Sequence, residues 1–443
     1  MPSKRRKIRS GSAALILLAA GLAACSGSST NSSKPSNSGT NSSGHSTSGS
    51  LTIATVTAFT GPQAFFGTNN QVACNVATKV VNDAGGVLGH NLTCKAVDDK
   101  GDPADAVPAV NNLLATTNHI ALINGLGAET PSVMPLFNAA KIPAIALLGD
   151  PIYNRNKSPY FFRLIASDTL GGTALGYFAA THGYRRAAAV FTSDSGAQTS
   201  AAPAVAAYKK AGGTLVSNLT LQSGSTDYRT EAAALVNAHP DAIITEMDRA
   251  TAITFLQEVA QLNGGRVPPV LGTETFTRGT LLQTLVKDIG PRVITEFRTV
   301  EQAQAARNPA NEAFNSTIQS LGSKIRNPSQ YATDYYTQSL YDGIILASLA
   351  MLQAHSTSAP SWAPLITKLT NGSPGAVTVS TFAQGKAALA AGKQIRYVGA
   401  IGPITLDQYH NSRAPFVVER FTPGTYKPVV VGHIPPNALA NVG

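Results

Sequence analysis

The chain is poor in the residues that most chemistry needs. Its 443 residues include three cysteines, one tryptophan and four methionines, and only 13% are charged. Cys25, Cys74 and Cys94 form no C-x2-C pair and the eight histidines form no metal-spaced pair, which leaves no recognisable zinc site. A GxSxG elbow and a P-loop are both missing. His90, His119, His182 and His239 fall in turns between elements, where solvation is the ordinary role. The expectation is a protein that is not an enzyme and uses neither a cofactor nor a metal. Long apolar runs are scarce too: the stretch Ala13 to Ala20 is shorter than the roughly 20 residues a membrane span requires.

What precedes and follows that stretch gives it a meaning. A cationic start (Lys4, Arg5, Arg6, Lys7, Arg9), the short apolar run and then small residues read as an export signal over 1–24. Leu22-Ala23-Ala24-Cys25 resembles the bacterial lipobox, which implies that Cys25 becomes a lipidated first residue anchored to the outer face of the cytoplasmic membrane. Residues 26–50 contain no aliphatic or aromatic side chain, so with Cys25 they make a lipidated, disordered tether over 25–50.

The formal charge of +10 would suit a nucleic-acid binder, but five of those charges lie in the export signal. The remainder, near +5, is scattered, so the basic patch of a nucleic-acid interface is missing. Cys74 and Cys94 form an even pair in an exported chain, which favours a disulfide over two buried free thiols.

From Leu51 onward the pattern alternates. "LTIATVTAF" reads as a strand, and "NQVACNVATKVVNDAGG" spaces Val72, Val76 and Val80 as a helix that stops at Gly85 or Gly86. Further strand and helix patterns follow in turn through "IPAIALLG", and the alternation restarts at "RAAAVFTSD". Ala84-Gly85-Gly86 is answered by Ala211-Gly212-Gly213, and Ile142-Pro143 by Val267-Pro268. The reading is an α/β protein of two wound, Rossmann-like lobes with parallel central sheets joined by a multi-strand hinge. Residues 51–164 and 297–402 are assigned to lobe 1, and 165–296 and 403–443 to lobe 2. A helix is expected over 330–355.

"TGPQAFFG", "VNDAGGVLGHNLTCKAVDDKGDPADAV", "YFFRLIASD", "GSTDYRTEAAAL" and "IGPITLD" resemble, in order, the leucine/isoleucine/valine-binding family of type I periplasmic binding proteins, the solute receptors of ABC importers. The resemblance implies a monomer that closes on a small solute between its lobes and passes it to a membrane permease. A disulfide found in some relatives would fall at Gly101 and Gly127 and is therefore missing; Cys74 and Cys94 could replace it.

Ligands of wound sheets bind beyond the carboxyl ends of the strands. By resemblance, Ala128, Glu129 and Thr130 occupy the loop that grips a solute carboxylate, and Thr130 before Pro131 also suits a helix cap. Phe66, or alternatively Phe65, resembles the aromatic wall of the site. Tyr331 resembles the aromatic that covers it from the hinge side, with Tyr335 and Tyr336 close in register. Asp150 is either a turn residue or an acidic contact. In the second lobe Asp194 and Ser195, Glu246 and Asp248, and Glu274 stand at strand ends, and Glu274 resembles the family's amino-group acceptor. If three of these acids face the cleft, they favour an amino acid or related amine or amide. The rival role is a sensor subunit that reports a solute to a separate membrane partner.

Overall fold

The computed structural model describes residues 49–61, 64–273, 281–304, 308–332 and 334–439. Cys25 and Glu274 lie outside them.

The first wound unit runs β1 (Leu51–Thr57), α1 (Ala64–Asp83), β2 (Leu92–Asp98), α2 (Pro103–Thr116), β3 (Ile120–Leu126), α3 (Thr130–Ala140), β4 (Ala144–Ala146) and β5 (Phe161–Arg163). Its sheet has the order β2-β1-β3-β4-β5, and every pairing is parallel. All seven residues of β1 are buried, as a central strand with helices on both faces requires. Cys74 on α1 and Cys94 on β2 are joined as a disulfide, their Cα atoms 6.1 Å apart.

The second unit follows: α4 (Asp168–Thr181), β6 (Arg186–Thr192), α5 (Ser195–Lys210), β7 (Thr214–Leu221), α6 (Arg229–Ala238), β8 (Ala242–Glu246), α7 (Arg249–Leu262), β9 (Val270–Thr273), α8 (Leu281–Ile289) and β10 (Phe297–Gln302). The chain then forms α9 (Pro309–Ser320), α10 (Pro328–Ala332), α11 (Tyr335–Ala354), α12 (Ala359–Trp362), α13 (Leu365–Asn371), β11 (Val377–Val379), α14 (Phe382–Ala390), β12 (Ile395–Gly399) and β13 (Gly402–Pro403). It ends with β14 (Phe416–Phe421), β15 (Pro428–Ile434) and α15 (Pro436–Leu439). The second sheet has the order β15-β14-β10-β9-β8-β6-β7, parallel from β7 to β10 and antiparallel at β14 and β15.

Two boundaries differ from the sequence reading. The strand at 297–302, assigned to lobe 1, pairs with β9 and β14 and so belongs to the second sheet. Residues 403–413 do not start the second lobe, because Ile404 and Leu406 are buried in the first unit's core with α11 and Trp362. The connections between sheets therefore fall near Leu164–Ser167, after Gln302, and before Phe416. These segments are bonded to one another. Arg163 N donates to His410 O, Ser412 N donates to Arg163 O, and Ala303 N donates to Pro415 O, at 3.0, 2.9 and 2.8 Å.

The expected helix over 330–355 is interrupted. α11 starts anew at Tyr335 because the Asp334 carboxylate caps it, accepting from Thr337 N at 2.8 Å and Thr337 Oγ1 at 2.6 Å. The repeated glycine stop has a simple cause: Gly85 and Gly212 end α1 and α5 with φ of +83° and +95°, where a side chain is strained.

Candidate functional site

The carboxyl ends of β1 and β3 in the first sheet, and of β6, β8 and β9 in the second, lead into helices that carry most of the sequence-predicted site. The "DD" of the β2–α2 loop organises the first-lobe part. Asp98 Oδ1 accepts from Phe59 N at 2.9 Å and Thr60 N at 3.3 Å, and Oδ2 accepts from Thr60 Oγ1 at 2.6 Å. Slight burial works against the charged form, but these bonds and one from Lys100 N hold Asp98 below the usual carboxylate range. Asp98 thus fixes the loop that leads into α1.

On α1, Phe65 is 51% exposed while Phe66 is half-buried, the two rings 4.0 Å apart. Phe66 meets Tyr336 of α11 edge-on at 5.6 Å, and Tyr336 meets Tyr335 at 5.4 Å. The aromatic partner of Phe66 is therefore Tyr336. Tyr331, expected to cover the site, is 2% exposed inside the first unit's core. The break before α11 resets the helical register and turns Tyr336 toward α1. The Tyr335 hydroxyl donates to Gln302 Oε1, which also accepts from Ala166 N at 2.6 Å. Gln302 was not singled out in the sequence; it ties two interlobe connections to the start of α11. Asn69 beside the aromatics donates to Asp334 at 3.1 Å.

The β3–α3 loop is closed on itself. Gly127 N donates to Glu129 Oε1 at 2.6 Å, and Thr130 Oγ1 donates to Gly127 O at 2.5 Å. Thr130 is consequently not the helix cap: its hydroxyl is spent as a donor and Glu129 holds the cap position. Ala128 is exposed, whereas Glu129 is 2% exposed. Burial, followed by the neighbouring Asp99 charge, pushes Glu129 up to about 7, and burial also raises Asp99. Asp99 is fully buried; it accepts from Gly101 N at 2.8 Å and leaves Oδ2 without a conventional partner. Two carboxyls in this arrangement favour a shared proton. A raised carboxyl adds stability that is full below its unfolded value of 4.5 and is lost as pH rises to about 7. Glu129→Gln should therefore flatten the decline between those pH values, recovering on the order of 2 kcal/mol at pH 8. Urea titrations of both proteins across pH check this, with parallel pH profiles as the contrary result.

The other acids are bonded to backbone amides. Asp150 accepts from Ile152 N at 2.8 Å, which makes it a turn residue. Asp194 accepts from Ala197 N at 3.1 Å and Thr192 Oγ1 at 2.5 Å, and Asp248 accepts from Thr251 N at 3.0 Å and Thr251 Oγ1 at 2.6 Å. Both cap the helices that follow. Asp194 and Ser195 are exposed, Asp248 and Glu246 half-buried. Glu274 directly follows the end of β9 but lies outside the described residues. Two surface recesses, ≈ 550 and ≈ 530 Å³, sit beside α3 with residues 153–160 and beside α5 with β7; neither contains a sequence-predicted site residue.

Asp168, at the start of α4, was visible in "YFFRLIASD" without an assigned role. Its N–H donates to Gly149 O at 2.9 Å and its Oδ2 accepts from Thr199 Oγ1 at 2.6 Å. A Cβ on Gly149 would come within 1.6 Å of Asp168 Oδ1, so the glycine of "LLGDP" is needed for this close approach. Among the described residues, no helix is long and apolar enough to cross a membrane, and no cluster of potential metal ligands occurs.

Two wound α/β units whose connections are bonded to one another define a bilobal α/β protein. The family model described as periplasmic binding protein matches residues 50–405, and the chain belongs to that family. A curated relative, the Leu/Ile/Val-binding protein homolog 3 of Brucella melitensis, is 36% identical over 64 residues, 14% of this chain and 17% of the relative. The match thus spans less than a fifth of that relative. A leucine binding protein from Thermotoga maritima has a TM-score of 0.66 at 18% identity, covering 87% of this chain and 99% of its own. A solute binding protein of an ABC transporter from R. palustris, solved with 4-hydroxybenzoate, has a TM-score of 0.67 at 16% identity, covering 87% and 97%. At those identities the likeness establishes the fold, that of type I periplasmic binding proteins.

Proposed function

We propose that this protein captures an amino acid or a related amine or amide between its lobes, closes about the hinge, and delivers the solute to an ABC permease. The observation that carries this reading is the Phe66–Tyr336 pair, formed between α1 and α11 where Gln302 binds two interlobe connections. An aromatic pair there can cover an apolar part of a solute while the second lobe supplies polar groups. Glu274 is the proposed amine acceptor, with Asp194 and Asp248 contributing negative potential through carboxylates that also cap helices. Closure follows if the solute binds the closed state more tightly than the open one. Lipidation of Cys25 would hold the receptor at the membrane beside its permease.

A thermal-shift screen against amino acids, amides, polyamines, carboxylates and sugars tests the reading. A solute at 100 times its dissociation constant should add about 2.7 kcal/mol of stability. Phe66→Ala and Glu274→Ala should each weaken its binding at least about tenfold. Selective binding of a sugar that survives both substitutions would reject the proposal.

A further inference from the structure

The recess beside α3 has the makings of a small-molecule site and takes no part in the solute reading above. Parallel neighbours in a sheet need crossover connections, and α1, α2 and α3 provide the first three of the first sheet. From β4 to β5 the chain crosses instead as residues 147–160, with the three-residue turn Pro151–Tyr153 in place of a helix. A loop covers less of its neighbour than a helix does, and ≈ 550 Å³ stays open between α3 and residues 153–160. That volume is in the range of ligand pockets. Pro131, Met134 and Pro135 share one face of α3 and wall the recess on that side, with Pro159 and Tyr160 on the other.

Most polar groups of the lining are spent on one another. The Ser158 hydroxyl donates to Asn138 Oδ1, while Asn156 accepts from Ser158 N at 3.0 Å and donates to Ser158 O at 3.1 Å. Tyr153 is different. It lines the recess yet is only 9% exposed, its ring lies flat on Phe161 at 4.3 Å, and its hydroxyl has no hydrogen-bond partner among the described residues. Burial, followed by the Asp150 charge, pushes Tyr153 up to about 12, so the hydroxyl keeps its proton at neutral pH and can donate. A buried donor without a partner calls for an acceptor from outside the chain.

The free charge around the recess has one sign. Lys157 lines it, Arg155 precedes it by two residues on the same loop, and Lys141 ends α3 three residues beyond Asn138. All three are exposed, and none makes an ion pair among the described residues. The acid closest in sequence, Asp150, has its carboxylate on Ile152 N at 2.8 Å at the head of the turn.

We propose that this recess is a second ligand site, separate from the interlobe site, for a small carboxylate with an apolar body. The body packs on Met134 and the prolines, the Tyr153 hydroxyl donates to the carboxylate, and Lys157 complements its charge.

The sequence supplies its own reporters, because besides Met1 it has only Met134, Met247 and Met351. Met134 lines the recess, Met247 follows β8 in the second lobe, and Met351 is buried on α11. In protein labelled with 13C-methyl methionine, phenylacetate should shift the Met134 methyl resonance, identified by Met134→Leu, in a saturable manner and leave Met247 and Met351 unmoved. Phenylacetamide, which has the same body without the charge, should bind about fivefold more weakly or worse. Lys157→Gln should weaken phenylacetate about three- to fivefold and Tyr153→Phe about three- to tenfold. Tyr153→Phe removes a hydroxyl that holds nothing in the chain, so it should fold as the wild type does. No Met134 shift at millimolar phenylacetate would leave the hydroxyl to solvent and overturn the proposal. Equal binding of acid and amide, or full affinity in Tyr153→Phe, would overturn it too. A response of Met247 alone would place the carboxylate in the second lobe and reject this site, whatever the interlobe solute proves to be.

Discussion

Asp342→Ala is expected to destabilise the protein by about 4 kcal/mol or more, because three buried donors converge on that one carboxylate. Asp342 lies on α11 with no exposure, its Oδ1 accepting from Tyr397 Oη at 2.7 Å and Ala400 N at 2.8 Å, its Oδ2 from Ile401 N at 3.0 Å. The approach is so close that a Cβ on Gly399 would come within 2.2 Å of Oδ2. Alanine would leave all three donors unpaired inside the core, each costing roughly 1–3 kcal/mol, and would add a cavity. Burial pushes Asp342 up to about 7, while the three bonds pull the other way. Asp342→Asn keeps one acceptor oxygen and should lose about half as much. Chemical unfolding of the three proteins measures the series; an alanine variant within about 1 kcal/mol of wild type would show that the donors find other partners.

The same residue shows what a single sequence reveals. "IGPITLD" was recognisable as a motif, and its Ile401 proves to be one of the amides on Asp342. What the motif binds was hidden, because Asp342 sits 59 positions earlier and nothing local records the pairing. Strands and helices were legible because β1 and α1 each carry a hydrophobic period of their own. The sheet to which 297–302 belongs was not, since nothing within the segment records its pairing with β9 on one side and with residues 416–420 on the other. At the end of β3 the glycine has a steric cause: a Cβ on Gly125 would come within 1.5 Å of Asn70 Nδ2. Glu129 read as a ligand-facing acid because its position is right. Its inward turn is made onto the Gly127 amide, which strand alternation cannot report. The choice among three tyrosines likewise turned on one cap, Asp334, in a segment with no glycine and with its proline several residues upstream.

Arg163→Ala is expected to cost about 3–5 kcal/mol and to loosen the interlobe connections. Arg163 ends β5 and is wholly buried where the first connection pairs with Asn411 of the last. Its guanidinium donates to Leu148 O at 3.3 Å, Asp150 O at 3.0 Å and Asn154 Oδ1 at 2.6 Å, and Asn411 Nδ2 binds Tyr153 O and Asn154 O at 3.0 and 3.1 Å. Burial lowers its pKa to about 10, against the charges of Asp168, Asp407 and Asp150, so it stays protonated at neutral pH. One planar fork therefore clamps the 148–154 turn to the connection that leads into α4. Lysine carries the charge but cannot present three donors in that plane, so Arg163→Lys should recover less than half of the loss. The functional readout follows from the position. A hinge must bend without letting its strands slide, and a loosened clamp should widen the distribution of lobe separations measured by paired spin labels on α2 and α6, even where the protein remains folded. An unchanged distribution in a folded Arg163→Ala variant would confine Arg163 to local packing and leave the hinge to Gln302 and its two partners.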